Sequence, residues 1–299
     1  MLYYNLSSYF RKKYGRRLKK ICIDGGFSCP NRDGKCGTGG CIYCGERGAG
    51  EHITPQKTIG EQVSDALGQA SEDELFVAYF QSFTNTYADL DTLRSRYDEA
   101  LTDERIKVLS IGTRPDCIDE SVVALLSEYT EKREVWVELG LQSANDETAK
   151  IINRGYPLAT FEQALSLLKN TKVKVIVHLI HGLPGETAED FKHTADYISS
   201  LDLFGVKLHS IYVMKNTALA DMYLENRYTP PTFDEFISSA AYLISHLSPS
   251  VVIHRLTGDA PKDSLLAPEW NKDKNAILEG IRRTLEKMGL RQGSLYPSP

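Results

Sequence analysis

Four cysteines fall within sixteen residues of one loop: Cys29, Cys36, Cys41 and Cys44. Cys22 and Cys117 stand apart. In a chain expected to be cytoplasmic, such thiols stay reduced, and a dense group of them points first to metal chemistry. The loop reads GGFSCPNRDGKCGTGGCIYCGERGAGE. Eleven residues separate Cys29 from Cys41, and two separate Cys41 from Cys44. Glycines at 34, 37, 39 and 40 let the loop curl so that thiolates converge. Thiolates hold iron–sulfur clusters, and a cluster with three protein ligands leaves one iron open to a small molecule. A four-cysteine zinc knuckle that includes Cys36 is the other reading. Such knuckles pair two short Cys-x-x-Cys turns, and only one is present here.

The elements around the loop favour iron. Near-continuous Val/Ile/Leu runs predict strands at Lys20–Asp24, Leu75–Phe80, Lys107–Ile111, Val135–Leu141, Val173–Ile180 and Gly205–Val213. Helical patterns lie between them at about 58–71, 89–102, 119–130, 145–169 and 187–200. Strand followed by helix, repeated, implies right-handed crossovers and a parallel sheet. Six units fall short of a closed eight-fold barrel. The expected fold is therefore α/β, a partial (βα)6 TIM-like barrel over residues 20–215. A basic arm (1–19) precedes it. A C-terminal α+β extension (216–299) follows, with helices near 233–247 and 272–289 and a strand at Val251–Arg255. The cysteine loop then sits at the C-terminal end of the first strand, where barrel chemistry is located.

A loop in that place ending Cys41-Ile42-Tyr43-Cys44 resembles the radical S-adenosylmethionine (SAM) superfamily. With CPNRDG and GGC before it, the chain resembles a bacterial branch related to the radical SAM domain of the Elongator catalytic subunit. The similarity runs from KYGRRLKKICIDGGFSCPNRDG to LTGDAPKDSLLAPEW. The resemblance implies a [4Fe–4S] cluster on Cys29, Cys41 and Cys44, with SAM chelating the open iron. The gap between the first two cysteines is longer than the superfamily's usual three residues, and Cys36 is the rival ligand. The implied activity is reductive cleavage of SAM to a 5′-deoxyadenosyl radical, with an external electron donor such as flavodoxin or ferredoxin.

The resemblance also implies SAM contacts. YFQSFTNTY ends the second strand, and Gln81 and Ser82 stand where relatives meet the amino group. In ELGLQSANDETAKIINRG, Gln142 matches a ribose contact of coproporphyrinogen-oxidase-like relatives, and Arg154 matches a carboxylate contact. Without the resemblance, Arg154 reads as a surface helix residue. His178, in HLIHGLPGET, takes a ribose-facing place, or simply packs in its strand. Tyr43 and Met214 complete the implied SAM pocket. Thr113-Arg114-Pro115-Asp116 resembles a TRPD element of the Elongator-related enzymes. It makes Arg114 the candidate catalytic residue.

Composition bounds the rest. Hydrophobic residues make up 41% and charged residues 25%, the composition of a soluble globular chain. No signal-peptide pattern or membrane-length apolar run is present, so no membrane partner is expected. Residues 1–20 carry seven basic side chains and no acid, so the remainder carries −12 against a whole-chain charge of −5. A basic arm on an acidic body suits phosphates, or is a solvated face. Together with the resemblance, it points to tRNA as substrate. The expected reaction converts the 5-carboxymethylaminomethyl group of the wobble uridine toward the aminomethyl form. A small metabolite or peptide substrate, and a metal-stabilised scaffold without catalysis, are the alternatives.

Overall fold

The computed structural model describes residues 1–48, 50, 57–258 and 263–297. Ala49 and Glu51 of the cysteine-loop sequence, and Asp259, Ala260, Pro261 and Lys262 of the LTGDAPKDSLLAPEW segment, lie outside the described residues. The strands are β1 (Leu18–Ile23), β2 (Leu75–Phe80), β3 (Ile106–Thr113), β4 (Glu134–Gln142), β5 (Lys174–His181), β6 (Gly205–Ser210), β7 (Val213–Met214), β8 (Val252–Arg255) and β9 (Leu265–Ala267). The α-helices are α1 (Leu6–Tyr14), α2 (Ile59–Gly68), α3 (Leu90–Ala100), α4 (Glu120–Tyr129), α5 (Asp146–Ile151), α6 (Leu158–Leu168), α7 (Ala188–Ser199), α8 (Ala218–Leu224), α9 (Phe233–His246) and α10 (Lys274–Lys287). Short side chains start them. Thr58, Thr187 and Thr232 each form a capping box with the acid three residues on, satisfying two otherwise orphaned N–H groups apiece.

β1 to β6 lie side by side in chain order, all parallel, as the alternating pattern requires. The sheet has seven strands rather than six. β8, expected in a separate extension, pairs parallel with β6 and lengthens the open half-barrel. α9 is the crossover that makes this possible, and it packs beside α7 on the outer face. What remains apart is a two-stranded antiparallel ribbon, β7 with β9. The long helix expected at 145–169 is two helices, broken at 152–157, where Pro157 precedes α6. Pro157 disfavours helix in the residue before it, and Gly155 at φ +84° takes the left-handed turn that re-aims the chain.

Apolar side chains form an outer layer between sheet and helices, including Ile23, Phe80, Leu109, Val137, Val177 and Leu208. A second cluster fills the barrel's N-terminal mouth. There α1 inserts Tyr9 and Phe10 against Val77, Val108, Trp136 and Ile176, and Phe10 stacks on Trp136 at 5.8 Å and 11°. The segment read as a basic arm is thus a plug. Its Leu6, Tyr9, Phe10 and Tyr14 have helical spacing. Three of its cations are paired: Lys13 with Glu134, Arg16 with Asp73 and Lys19 with Glu74.

Candidate active site

With the N-terminal mouth plugged, the cavity opens at the other end, where the strands' C-termini meet the cysteine loop. It measures about 240 Å3. Cys29, Cys41 and Cys44 line it together, and Cys36 does not. The loop is shaped by close packing on the segment between α5 and α6. Asn31 Nδ2 donates to the Asn153 carbonyl at 2.6 Å, and Asn153 Nδ2 donates to the Gly40 carbonyl at 2.8 Å. A Cβ on Gly37 would stand 2.1 Å from Asn31 Oδ1, so only glycine fits there. Gly34, Gly39 and Gly40 have positive φ, as the tight curl demands. Arg32 donates to the carbonyls of Gly45 and Glu46, tying the loop's start to its end.

Two of these thiols, Cys41 and Cys44, are electrostatically coupled. Cys41 is held down to about 6, first by a hydrogen bond from the Cys44 thiol, against the opposing effect of burial. The Tyr43 and Asn31 donors and the Arg114 charge add to it. Asn31 Nδ2 lies 3.8 Å from Cys41 Sγ. Cys44 is pushed up by the same shared hydrogen bond and by burial. Ready thiolate at the first sulfur is what iron ligation needs. Cys36 instead faces outward, with its Sγ 3.5 Å from Arg114 Nη2 and 3.9 Å from Asp116.

Of the other residues singled out in the sequence, Tyr43, Gln81, Arg114, Gln142, His178 and Met214 also line the cavity. Gln142 sits at φ +63°, where β4 breaks register with β5. Arg114 is clamped by Asp116 at 2.7 Å and by the Arg154 carbonyl at 2.9 Å, and its guanidinium lies over the Tyr156 ring. Ser82 and Arg154 do not line the cavity. Ser82 is buried beside Gly50, whose missing Cβ leaves room for the Ser82 hydroxyl. Arg154 is neither a surface residue nor directed into the cavity. It is 0% exposed and donates to the carbonyls of Leu141 at 2.6 Å, Ser143 at 2.7 Å and Tyr156 at 3.0 Å. Those bonds fold the β4 exit around Gln142, so Arg154 shapes the wall that presents its neighbour.

Sequence reasoning reached His178 but passed over the other residues of the cavity floor. Tyr79, Glu138 and His209 line the floor beside His178. Glu138 is fully buried, paired with Lys207, and accepts from Ser110 Oγ at 2.8 Å. Its Oε2 lies 2.6 Å from His178 Nε2. Burial and the Lys207 charge depress His178 to about 4 despite Glu138, so the ring is neutral at pH 7. Its Nε2–H then points to the carboxylate. The sequence signal was one charge in each of two apolar strands, VWVELGL and GVKLHS. A lone charge in a strand covered on both faces demands a partner.

The family model described as Radical SAM superfamily matches residues 34–198, and that described as Radical_SAM C-terminal domain matches 204–287. Protein YhcC of Escherichia coli is 35% identical over 289 residues, covering 96% of this chain and 93% of its own. A tRNA uridine(34) acetyltransferase of Methanocaldococcus infernus is 28% identical over 214 residues, 68% of this chain and 39% of its own. The structure of the archaeal Methanocaldococcus infernus Elp3 with an N-terminal deletion superposes with a TM-score of 0.70 at 20% identity, over 92% of this chain and 64% of that one. This last likeness is one of fold. With a family match over more than half its length and a full-length relative at 35% identity, the chain belongs to the radical SAM superfamily, whose [4Fe–4S] cluster and SAM are its cofactors.

Proposed function

We propose that this radical SAM enzyme acts on the C5 side chain of the tRNA wobble uridine, taking the carboxymethylaminomethyl group toward the aminomethyl form. When bound, the cluster and SAM supply a carbon-centred radical able to abstract an unactivated hydrogen. Cys29, Cys41 and Cys44 would hold the cluster, leaving one iron for SAM. Gln81, Gln142, Met214 and Tyr43 would bound SAM at the cavity mouth, and neutral His178 offers Nδ1 as an acceptor toward a hydroxyl. Arg154 acts through the β4 exit rather than on SAM itself. Arg114, fixed by Asp116 and exposed to the cavity, is placed to meet an anionic group of substrate or SAM. The electron comes from a separate donor, for which a flavodoxin or ferredoxin is the natural class.

The observation that carries the tRNA reading is the 28% identity over 214 residues to a tRNA uridine(34) acetyltransferase. A cavity at the strands' C-terminal ends also suits a base taken out of its stack. The basic helix α1 adds little, because it lies at the opposite mouth, where its Lys13 pairs with Glu134. Comparing modified nucleosides in tRNA from cells with and without the gene tests the proposal. Accumulation of 5-carboxymethylaminomethyl uridine, with loss of later forms, is the expected result. An unchanged nucleoside profile refutes it and returns the enzyme to a small-metabolite or peptide substrate.

A further inference from the structure

The side chain of Asn31 is wholly buried between the cysteine loop and the turn that follows α5. Its backbone carbonyl accepts from the Gly40 N–H at 2.8 Å, which lays the residue before Cys41 alongside it. The two protons on Nδ2 then have separate targets. Nδ2 lies 2.6 Å from the Asn153 carbonyl and 3.8 Å from Cys41 Sγ, within reach of a hydrogen bond to sulfur. The orientation of the amide is fixed, because a flip would set Oδ1 against the Asn153 carbonyl, acceptor against acceptor. Oδ1 points the other way and is buried without a donor. A Cβ on Gly37 or Gly155 would stand 2.1 or 3.0 Å from it, so two glycines make room for this amide. An unmet buried acceptor weakens a fold. The loop tolerates it in an arrangement that aims the second amide proton at a sulfur.

We infer that Asn31 is a positioning residue that tunes the cluster: its Nδ2–H donates to the Cys41 thiolate and raises the potential at which the cluster takes up its electron. The inference rests on Cys41 as a cluster ligand and is independent of the tRNA reading. Reduction adds one electron from the external donor, and with it one unit of negative charge that spreads onto the ligand sulfurs. An N–H aimed at such a sulfur is therefore held more strongly by the reduced cluster than by the oxidised one. Hydrogen bonds to the sulfurs are among the features that set the potentials of these clusters. Tyr43 also donates to Cys41, so Asn31 accounts for part of the effect at that sulfur.

The test is a redox titration of anaerobically reconstituted protein without SAM, followed by electron paramagnetic resonance. Asn31→Leu removes both amide protons at similar volume. Its reduced-to-oxidised ratio at a given potential should fall about tenfold, a shift of ~59 mV to more negative potential for a one-electron couple. The control is Asn153→Gly. It keeps the backbone carbonyl that Asn31 meets and suits the φ of +51°, but it removes the Nδ2 bond to the Gly40 carbonyl. This loosens the loop without touching the contact between amide and sulfur, so its potential should match the parent's. An unchanged potential in Asn31→Leu, or an equal fall in Asn153→Gly, overturns the inference and leaves Asn31 a brace for the loop. If Asn31→Leu holds no cluster, pulsed resonance of Asn153→Gly protein, with asparagine isotopically labelled at its side-chain nitrogen, decides instead. Coupling of the labelled nitrogen to the reduced cluster retains the inference, and no coupling overturns it. A cluster retained in Cys41→Ala removes the ligand assignment itself, so the two failures are told apart.

Discussion

Replacing Arg154 tests whether it is a wall-former or a SAM ligand. Arg154→Met removes three donors from a fully buried position while roughly keeping the volume of the stem. The Leu141 carbonyl still accepts from the Ser143 N–H at 2.8 Å, so its loss is partial. The Ser143 and Tyr156 carbonyls lose a charged donor each. An unmet buried acceptor costs about 1–3 kcal/mol, which places the total at about 3 kcal/mol. For a chain of this size about 2 °C accompanies each kcal/mol, so the melting temperature should fall by about 6 °C. SAM affinity should fall too, because Gln142 sits between two of the released carbonyls. Arg154→Lys should recover only part of the loss, since an ammonium cannot span three carbonyls as a guanidinium does. Circular-dichroism melts of cluster-loaded protein, paired with SAM titrations, read both quantities. A melting temperature within 2 °C of the parent, with SAM affinity sharply reduced, would refute this reasoning and make Arg154 a direct ligand.

Further outcomes follow from the same geometry. Cys29→Ala, Cys41→Ala and Cys44→Ala should each prevent assembly of a cluster of about four irons. Cys36→Ala should retain it, as iron and sulfide analysis after anaerobic reconstitution will show. Glu186, pushed up to about 7 by burial against weaker help from Ser143 and Thr148, keeps its proton in the fold at pH values where the unfolded chain has lost it. Stability should therefore fall between about pH 4.5 and 7, by at most about 3 kcal/mol, and level off above. Glu186→Gln should flatten that slope in denaturant titrations, and an unaltered slope would assign it elsewhere. Phe10→Ala should cost about 3–5 kcal/mol by emptying the plug on Trp136, measurable as a lower unfolding midpoint. A surface arm would show no such loss.

The cysteine loop and the parallel sheet were legible because their signals are local. Three thiols at fixed spacing among glycines, and apolar runs separated by helical patterns, are read without knowing what faces what. The choice among the cysteines came from the resemblance, and the loop carries Cys29, Cys41 and Cys44 to the cavity wall while Cys36 is exposed. The places where the sequence misled are those where distant residues decide. The N-terminal segment looked like a phosphate-seeking arm because residues 1–20 hold seven cations and no acid, yet Tyr9 and Phe10 find Trp136 about 125 residues on and fill the barrel mouth. The strand at 252–255 joined the sheet because α9 carried it back beside β6, which no local pattern records. Arg154 reads as a surface cation or a ligand until the break between α5 and α6 folds it under the β4 exit. The polar layer is the clearest case. Glu138, His178 and Lys207 each appear as a polar residue in an apolar strand, and only closing the sheet into a half-barrel brings His178 and Lys207 onto the Glu138 carboxylate. Periodicity in the sequence fixes which face a residue takes, whereas which residues then meet is set by strand order and curvature, and those belong to the tertiary structure.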